Sequence, residues 1–199
     1  ETSAPNPVTV YAAANLSAEK DVLALGGDGF TVTALRQATV FGLSRRMRFD
    51  LVINIMTLNA VEKGCIFVTG GGRQRRPIVH VRDTAKAFLA VLSASPDKVS
   101  GEIFNVGATN MQVVSIAYSV REQIPFPIGL QVVPDDPDKR DYNVSFEKIR
   151  RVLGWEPHCT PADGVREIYE ALQSGKVSAE PWTQTVGWYK RLIEANRLM

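Results

Sequence analysis

The amino-acid sequence predicts an α/β fold. Segments with helical spacing of apolar residues alternate with short runs of β-branched residues, and glycines stand at the boundaries between them. The composition agrees with this class, because 45% hydrophobic and 22% charged residues over 199 positions are typical of a globular protein with a buried core. The chain has no internal repeat and no low-complexity tract, so we expect one medium-sized unit.

The first half of the chain is expected to hold two helices and three extended segments. Glycine or proline punctuates the helices, and β-branched residues mark the strands. The predicted elements are a helix from Pro7 to the Gly26-Gly27 pair, a buried strand at Phe30–Leu35, a helix at Asp50–Lys63 that ends at Gly64, a short strand at Cys65–Val68 closed by Gly70-Gly71-Gly72, and an extended piece at Ile78–Val81.

The second half continues the alternation of helices and strands. Its elements are a helix from Asp83 to Leu92, a strand at Ile103–Val106, a helix at Val113–Gln123, a strand at Leu130–Val133, a helix at Ser145–Leu153 that Ser145 could cap, a helix around Val165–Leu172, and a last amphipathic helix within Pro181–Met199. Asp83 precedes a helix and is expected to cap it. His80 stands among valines, which favours a structural histidine over a ligand.

Charge and cysteine content exclude several classes of protein. The 23 basic and 21 acidic residues nearly balance, and they form no long like-charge run, so neither nucleic acid nor a membrane is expected as partner. No apolar stretch approaches the length of about 20 residues that a bilayer span needs, which favours a cytoplasmic protein. Cys65 and Cys159 stand apart and are interpreted as free thiols, and no metal site is predicted.

Five groups of short segments, in order along the chain, match one superfamily. They are 7–11 (Pro-Val-Thr-Val-Tyr) with 16–19 (Leu-Ser-Ala-Glu), Leu35-Arg36 with 39–42 (Thr-Val-Phe-Gly), 76–83 (Arg-Pro-Ile-Val-His-Val-Arg-Asp), 104–107 (Phe-Asn-Val-Gly), and Lys148-Ile149 with Leu153-Gly154-Trp155. By these segments the chain resembles the extended short-chain dehydrogenase/reductases, specifically their sugar-nucleotide epimerase/dehydratase branch. Because the segments occur in the family's order, the resemblance is stronger evidence for the fold than for the reaction.

The resemblance implies a Rossmann-like extended short-chain dehydrogenase fold, of which this chain holds the C-terminal strands and helices. Residues 1–42 and 78–107 would form the end of the parallel-sheet domain, and residues 43–77 and 108–199 would form the small substrate-binding domain. The family's nucleotide-binding half precedes the equivalent of Glu1 and has no counterpart in this sequence, so a cut fragment is one interpretation of the chain. The resemblance further implies NAD or NADP as cofactor, a nucleoside-diphosphate sugar as substrate, and a homodimer.

Tyr11 and Asn15 are assigned to the catalytic and cofactor-binding site through the same resemblance. The family carries a Tyr-x-x-x-Lys pair, and a spacing of four places both side chains on one face of a helix. Tyr11 matches the tyrosine and is expected to act as acid/base toward a sugar hydroxyl. Asn15 stands where the family has lysine. A neutral amide cannot supply the positive charge that favours a phenolate, so activity stays open.

Five residues are assigned to the substrate pocket: Thr39, Arg48, Asn54, Arg76 and Arg140. Arg76 and Arg140 resemble two family arginines that reach the diphosphate of the sugar nucleotide from opposite sides. A guanidinium fork matches phosphate oxygens in bidentate fashion, which a neutral side chain cannot do. Thr39 and the loop that contains Arg48 resemble the wall of the pocket, and Asn54 matches a position that faces substrate.

Two functions from different classes follow from these residues. The first is an NAD(P)-dependent epimerase/dehydratase that acts on a nucleoside-diphosphate sugar. The second is a non-catalytic protein that still binds sugar nucleotides, which Asn15 and the missing nucleotide-binding half favour. The same arginines would serve both functions.

Overall fold

The structure, a computed structural model, describes residues 1–133 and 140–195 of the chain. Helices and strands alternate through these residues. The helices are α1 (Val10–Leu23), α2 (Val52–Lys63), α3 (Val81–Leu92), α4 (Pro96–Val99), α5 (Val113–Gln123), α6 (Glu147–Leu153), α7 (Pro161–Gln173) and α8 (Thr185–Glu194). The strands are β1 (Ala34–Gln37), β2 (Thr39–Phe41), β3 (Cys65–Thr69), β4 (Arg75–His80), β5 (Ile103–Val106), β6 (Thr109–Gln112) and β7 (Gly129–Val133).

The strands form three small sheets in which parallel pairing predominates. Strand β1 pairs with β5 in parallel, and β3 pairs with β7 in parallel. Strand β4 lies between a parallel neighbour, β2, and an antiparallel neighbour, β6. The α/β class is confirmed, and the parallel pair β1 and β5 lies within the two ranges that the family resemblance assigns to the parallel-sheet domain.

The first predicted strand begins later than expected. It was predicted at Phe30–Leu35, whereas β1 starts at Ala34. Phe30 belongs instead to a tight turn, because its backbone exchanges two hydrogen bonds with Gly27, at 3.1 and 3.0 Å. Gly29, inside this turn, has a φ of 81°, which favours glycine. The β-branched residues Thr31, Val32 and Thr33 therefore lead into the strand and form no part of it.

The boundary between β4 and α3 also differs from the prediction. The expected strand was Ile78–Val81, but pairing with β6 extends β4 back to Arg75, and Val81 already belongs to α3. His80 is the N-cap of α3, since its Nδ1 accepts a hydrogen bond from the backbone N–H of Arg82 at 3.1 Å. The prediction that Asp83 caps this helix is therefore wrong. Its buried carboxylate lies within the first turn and accepts hydrogen bonds from two backbone N–H groups of the loop before α7.

Two helix boundaries in the last third differ slightly from expectation. Helix α6 starts at Glu147 with Phe146 as N-cap, while the Ser145 hydroxyl accepts a weak hydrogen bond from the Glu147 N–H at 3.4 Å. The C-terminal segment forms a short turn and then α8, and residues 196–199 lie outside the described residues. None of the described helices is long and apolar enough to cross a membrane.

Three apolar clusters pack these elements together. The largest lies among α2, α5, α7 and β3 and includes Ile53, Ile66 and Ile116, none of which is exposed. A second cluster joins β5 to α3 and α6. The third is small and contains Met47 and Phe49, which lie in the segment between β2 and α2. The packing of Met47 and Phe49 in this cluster therefore fixes the segment between β2 and α2, although the segment has no regular secondary structure.

Candidate active site

Helix α1 carries Tyr11 on an open face. Thr9 caps the helix, because its hydroxyl accepts a hydrogen bond from the Ala12 N–H at 3.1 Å. No residue of α1 is buried, and 79% of Tyr11 is exposed. The side-chain amide of Asn15 donates to the backbone carbonyl of Tyr11 at 3.0 Å. Tyr11 and Asn15 thus lie one turn apart, as their spacing predicts, but the Asn15 amide is engaged with its own helix.

An ion pair links this helix to the sheet through two hydrogen bonds. Arg36 of β1 donates from Nε and Nη2 to the two carboxylate oxygens of Glu19, at 2.8 and 2.7 Å. The pair is mostly sheltered, with side-chain exposures of 31% for Arg36 and 14% for Glu19. A bidentate geometry fixes orientation as well as distance. Glu19 and Arg36 therefore hold the Tyr11 helix in place beside β1.

The ion pair predicts a dependence of stability on pH. The hydrogen bond from Arg36 holds the pKa of Glu19 below its usual value, while burial opposes this in part. A carboxylate whose pKa is lower in the folded than in the unfolded state stabilises the fold at pH values above its unfolded pKa, which is about 4.3 for glutamate. This contribution is lost as the pH falls through the pKa of the folded state. We expect the free energy of unfolding to drop by about 1 kcal/mol more in the native protein than in Glu19→Gln when pH is lowered from about 6 to about 3.

Urea unfolding followed by circular dichroism at several pH values measures this difference. Asp21→Asn is the matched control, because Asp21 is an exposed carboxylate on the same helix. Equal pH dependence in the native protein and in Glu19→Gln would show that the pair does not contribute.

Arg76 and Arg140 come together at the start of β4. The Nη1 of Arg76 donates to the backbone carbonyl of Arg75 at 3.0 Å and also to the backbone carbonyl of Arg140. The segment that begins at Arg140 is fixed beside β6, since the side chain of Asn110 both donates to and accepts from the backbone of Val144 at 2.9 Å. Asp141 accepts from the Arg75 N–H at 2.9 Å. The two arginines assigned to one diphosphate are therefore neighbours.

The remaining assigned residues lie in or beside the segment between β2 and α2, of which residues 42–48 are here called the 42–48 loop. Thr39 opens β2, opposite Ile78 of β4, and is half-buried. Arg48 forms a fork with Asp50, with two N–O distances of 3.0 Å. Asn54 is 3% exposed, accepts from the Gly42 N–H at 3.2 Å and donates to the Arg48 carbonyl at 3.1 Å. Its amide thus ties the two ends of the 42–48 loop together.

Glu167 of α7 is a further member of this site that the sequence did not indicate. Its Oε1 accepts from the Leu43 N–H at 2.8 Å and lies 2.6 Å from Nε2 of His80, and its Oε2 pairs with Arg82. His80 is fully buried, which agrees with its expected structural role. Glu167 and Leu43 are 124 positions apart, and no spacing rule connects them. The carboxylate joins the 42–48 loop to β4 and α3.

The model of the NAD dependent epimerase/dehydratase family matches residues 1–107, which is more than half of the chain. The chain belongs to this family.

Individual relatives agree with this assignment. The dTDP-glucose 4,6-dehydratase 1 of Escherichia coli K12 is 31% identical over 165 residues, which cover 74% of this chain and 42% of that protein. The dTDP-glucose 4,6-dehydratase of Streptomyces niveus is 31% identical over 192 residues, which cover 91% of this chain and 54% of that protein. The chain therefore spans about half the length of the curated relatives it matches.

Solved structures share the fold of this chain. RMD from Pseudomonas aeruginosa, complexed with NADPH, superposes with a TM-score of 0.75 at 20% identity, over 88% of this chain and 60% of that one. UDP-glucuronic acid 4-epimerase from Bacillus cereus, in complex with UDP-glucuronic acid and NAD, also gives 0.75 at 20% identity, over 87% and 55%. The Rossmann-like extended short-chain dehydrogenase fold is confirmed.

Proposed function

We propose that this chain supplies the substrate side of an NAD(P)-dependent epimerase/dehydratase that acts on a nucleoside-diphosphate sugar. The observation that carries the proposal is the contact between Arg76 and Arg140: the Arg76 guanidinium donates to the Arg140 backbone carbonyl, which brings two arginines that are far apart in the chain together at the start of β4. A guanidinium group suits the charge and the oxygen geometry of a diphosphate. Family membership supports the reaction class, and the relatives named as dTDP-glucose 4,6-dehydratases support a nucleotide-linked hexose. On this proposal Thr39, Arg48 and Asn54 belong to the pocket wall.

The described residues fit one end of the dinucleotide. The face of α1 around Tyr11 is open, so a nicotinamide and its ribose could lie against it. The glycine run 70–72 does not provide a pyrophosphate cradle, because it forms a single 3₁₀ turn that leads into β4 rather than into an α-helix, and a Cβ on Gly72 would stand 2.6 Å from Val68. Tyr11 and Asn15 are therefore the residues of the described chain that we assign to the cofactor.

The proposed chemistry divides between the cofactor and Tyr11. NAD or NADP, when bound, supplies a hydride acceptor and returns the hydride later in the cycle. Tyr11 accepts the proton of a sugar hydroxyl during oxidation and gives it back during reduction. Asn15 can hydrogen-bond a ribose hydroxyl, but it adds no charge beside the phenol. We expect this arrangement to transfer protons more slowly than a Tyr-Lys pair.

The proposal extends to organisation and assembly. Residues 1–42 and 78–107 would complete the sheet domain, with residues 43–77 and 108–199 as the substrate domain. A homodimer through α1 is part of the same proposal. Its support is that α1 exposes apolar side chains, among them Val10 at 88% and Val22 at 50%.

Removal of Arg76 tests the proposed pocket. Arg76→Ala in the full-length protein should weaken binding of dTDP by about 1.5–3 kcal/mol, the range for a hydrogen bond to a charged group. Arg73→Ala should change binding little, because Arg73 is exposed and lies three positions away in the same basic run. Calorimetric titration measures both affinities. Equal losses in the two variants would contradict the assignment of Arg76 to the diphosphate.

A non-catalytic sugar-nucleotide binding protein is the second candidate. Asn15 favours it, because the hydrogen bond to the Tyr11 carbonyl does not replace the missing positive charge. Both candidates predict the same effect of Arg76→Ala on binding. They differ in turnover, which separates them.

A further inference from the structure

Glu167 accepts two hydrogen bonds at one oxygen, and the tautomer of His80 explains how. The Nδ1 of His80 accepts from the Arg82 N–H at 3.1 Å, so in the neutral ring the proton is on Nε2. That Nε2–H donates to Oε1 of Glu167 at 2.6 Å. The same oxygen accepts from the Leu43 N–H at 2.8 Å, and a carboxylate oxygen has lone pairs for both donors. The Glu167 side chain is 15% exposed, so both bonds are largely sheltered from water.

The packing around Gly42 shows how closely the 42–48 loop approaches this pair. Gly42 has a φ of 108°, and a Cβ built there would stand 2.4 Å from Nε2 of His80 and 2.8 Å from Oε1 of Glu167. No side chain fits between the loop backbone, the buried His80 ring and the Glu167 carboxylate. The loop is thus placed by Asn54 at the Gly42 amide and by Glu167 at the Leu43 amide.

We propose that Glu167 is a positioning residue for substrate binding. It fixes the start of the 42–48 loop against β4, and through the loop it sets where Arg48 stands in the pocket wall. The inference rests on the proposed function, because it assigns the loop to a sugar-nucleotide pocket. It adds a residue on α7, far along the chain from the other assigned residues, to the determinants of affinity.

Two substitutions on α7 test this role in the full-length protein. Glu167→Gln keeps an oxygen but loses the negative charge and brings an amide donor toward Arg82. Glu167→Leu removes both acceptors. Glu170→Gln and Glu170→Leu are the matched controls, since Glu170 is exposed on the same helix. If Glu167→Leu does not fold, Glu167→Gln decides the question.

Hydrogen exchange measures the loop directly, without any ligand. We expect the Leu43 amide to exchange about 10-fold faster in Glu167→Gln than in Glu170→Gln, and faster still in Glu167→Leu, while amides of α5 are unchanged. A Leu43 amide that exchanges equally in Glu167→Gln and Glu170→Gln would overturn the inference, whatever the protein binds.

Affinity for the sugar nucleotide measures the consequence for the pocket. Calorimetry should give a Kd for dTDP-glucose that is about 5-fold to 30-fold higher in Glu167→Gln, with an unchanged Kd in Glu170→Gln. Faster exchange of the Leu43 amide with an unchanged Kd for dTDP-glucose would overturn the inference and leave Glu167 a structural residue. The effect of Arg76→Ala on dTDP binding would then still decide the proposed function. A native protein that binds neither dTDP nor dTDP-glucose would overturn the proposed function and the substrate part of this inference together.

Discussion

Replacement of Tyr11 by phenylalanine is expected to lower turnover of a nucleoside-diphosphate sugar by about 100-fold to 10,000-fold, the usual range for a general acid/base. The ring remains and the hydroxyl is lost, so substrate affinity should change little. The exposed position of Tyr11 on α1 makes a structural effect small, because no residue of that helix is buried. Steady-state kinetics with NAD present measure kcat and KM separately.

Tyr118→Phe is the matched control for this substitution. Tyr118 is an exposed tyrosine on α5, and its ring contact with Arg121, at 4.9 Å, does not need the hydroxyl. Activity that survives in Tyr11→Phe at the level of Tyr118→Phe would mean that another group carries the proton.

Gly42→Ala is expected to cause the largest loss of stability, about 3 kcal/mol or more. Two costs add at this position: a backbone φ of 108° that alanine rarely adopts, and a Cβ 2.4 Å from the buried His80 ring. Gly101→Ala separates the two costs, because Gly101 has a φ of 71° but open space around it. It should lose about 1 kcal/mol, from the backbone alone. Urea unfolding measures both variants, and equal losses would contradict the close packing of the loop on His80.

Elements whose signals are local were predictable from the sequence. Helix α5 has the predicted bounds, Val113–Gln123, because apolar periodicity defines it and a proline follows. Helix α2 ends as expected at Gly64, whose φ of 62° suits a glycine. The shared helix of Tyr11 and Asn15 followed from a spacing of four. In each case the interaction that decides the structure lies within a few residues of the signal.

Features that depend on distant partners could not be predicted. The cap of α3 is His80 rather than Asp83, because the Asp83 carboxylate bonds instead to the backbone of residues 158 and 159. Glu167 lies within the predicted helix around Val165–Leu172, and nothing in the helical pattern marks it. Only the folded chain brings it to Leu43. The meeting of Arg76 and Arg140 was expected only from the family resemblance, because it depends on the pairing of β4 with β6 and on the two hydrogen bonds between Asn110 and Val144.

Conversion of a sugar nucleotide by the full-length protein tests the central proposal most directly. The protein, incubated with NAD and dTDP-glucose or UDP-glucuronic acid, is followed by NMR of the sugar protons. We predict a changed hexose, epimerised or dehydrated, whose formation requires the Tyr11 hydroxyl and slows in Arg76→Ala. Tight binding of the sugar nucleotide through Arg76, with no change in the sugar and no reduction of NAD, would contradict an enzyme and favour the binding protein.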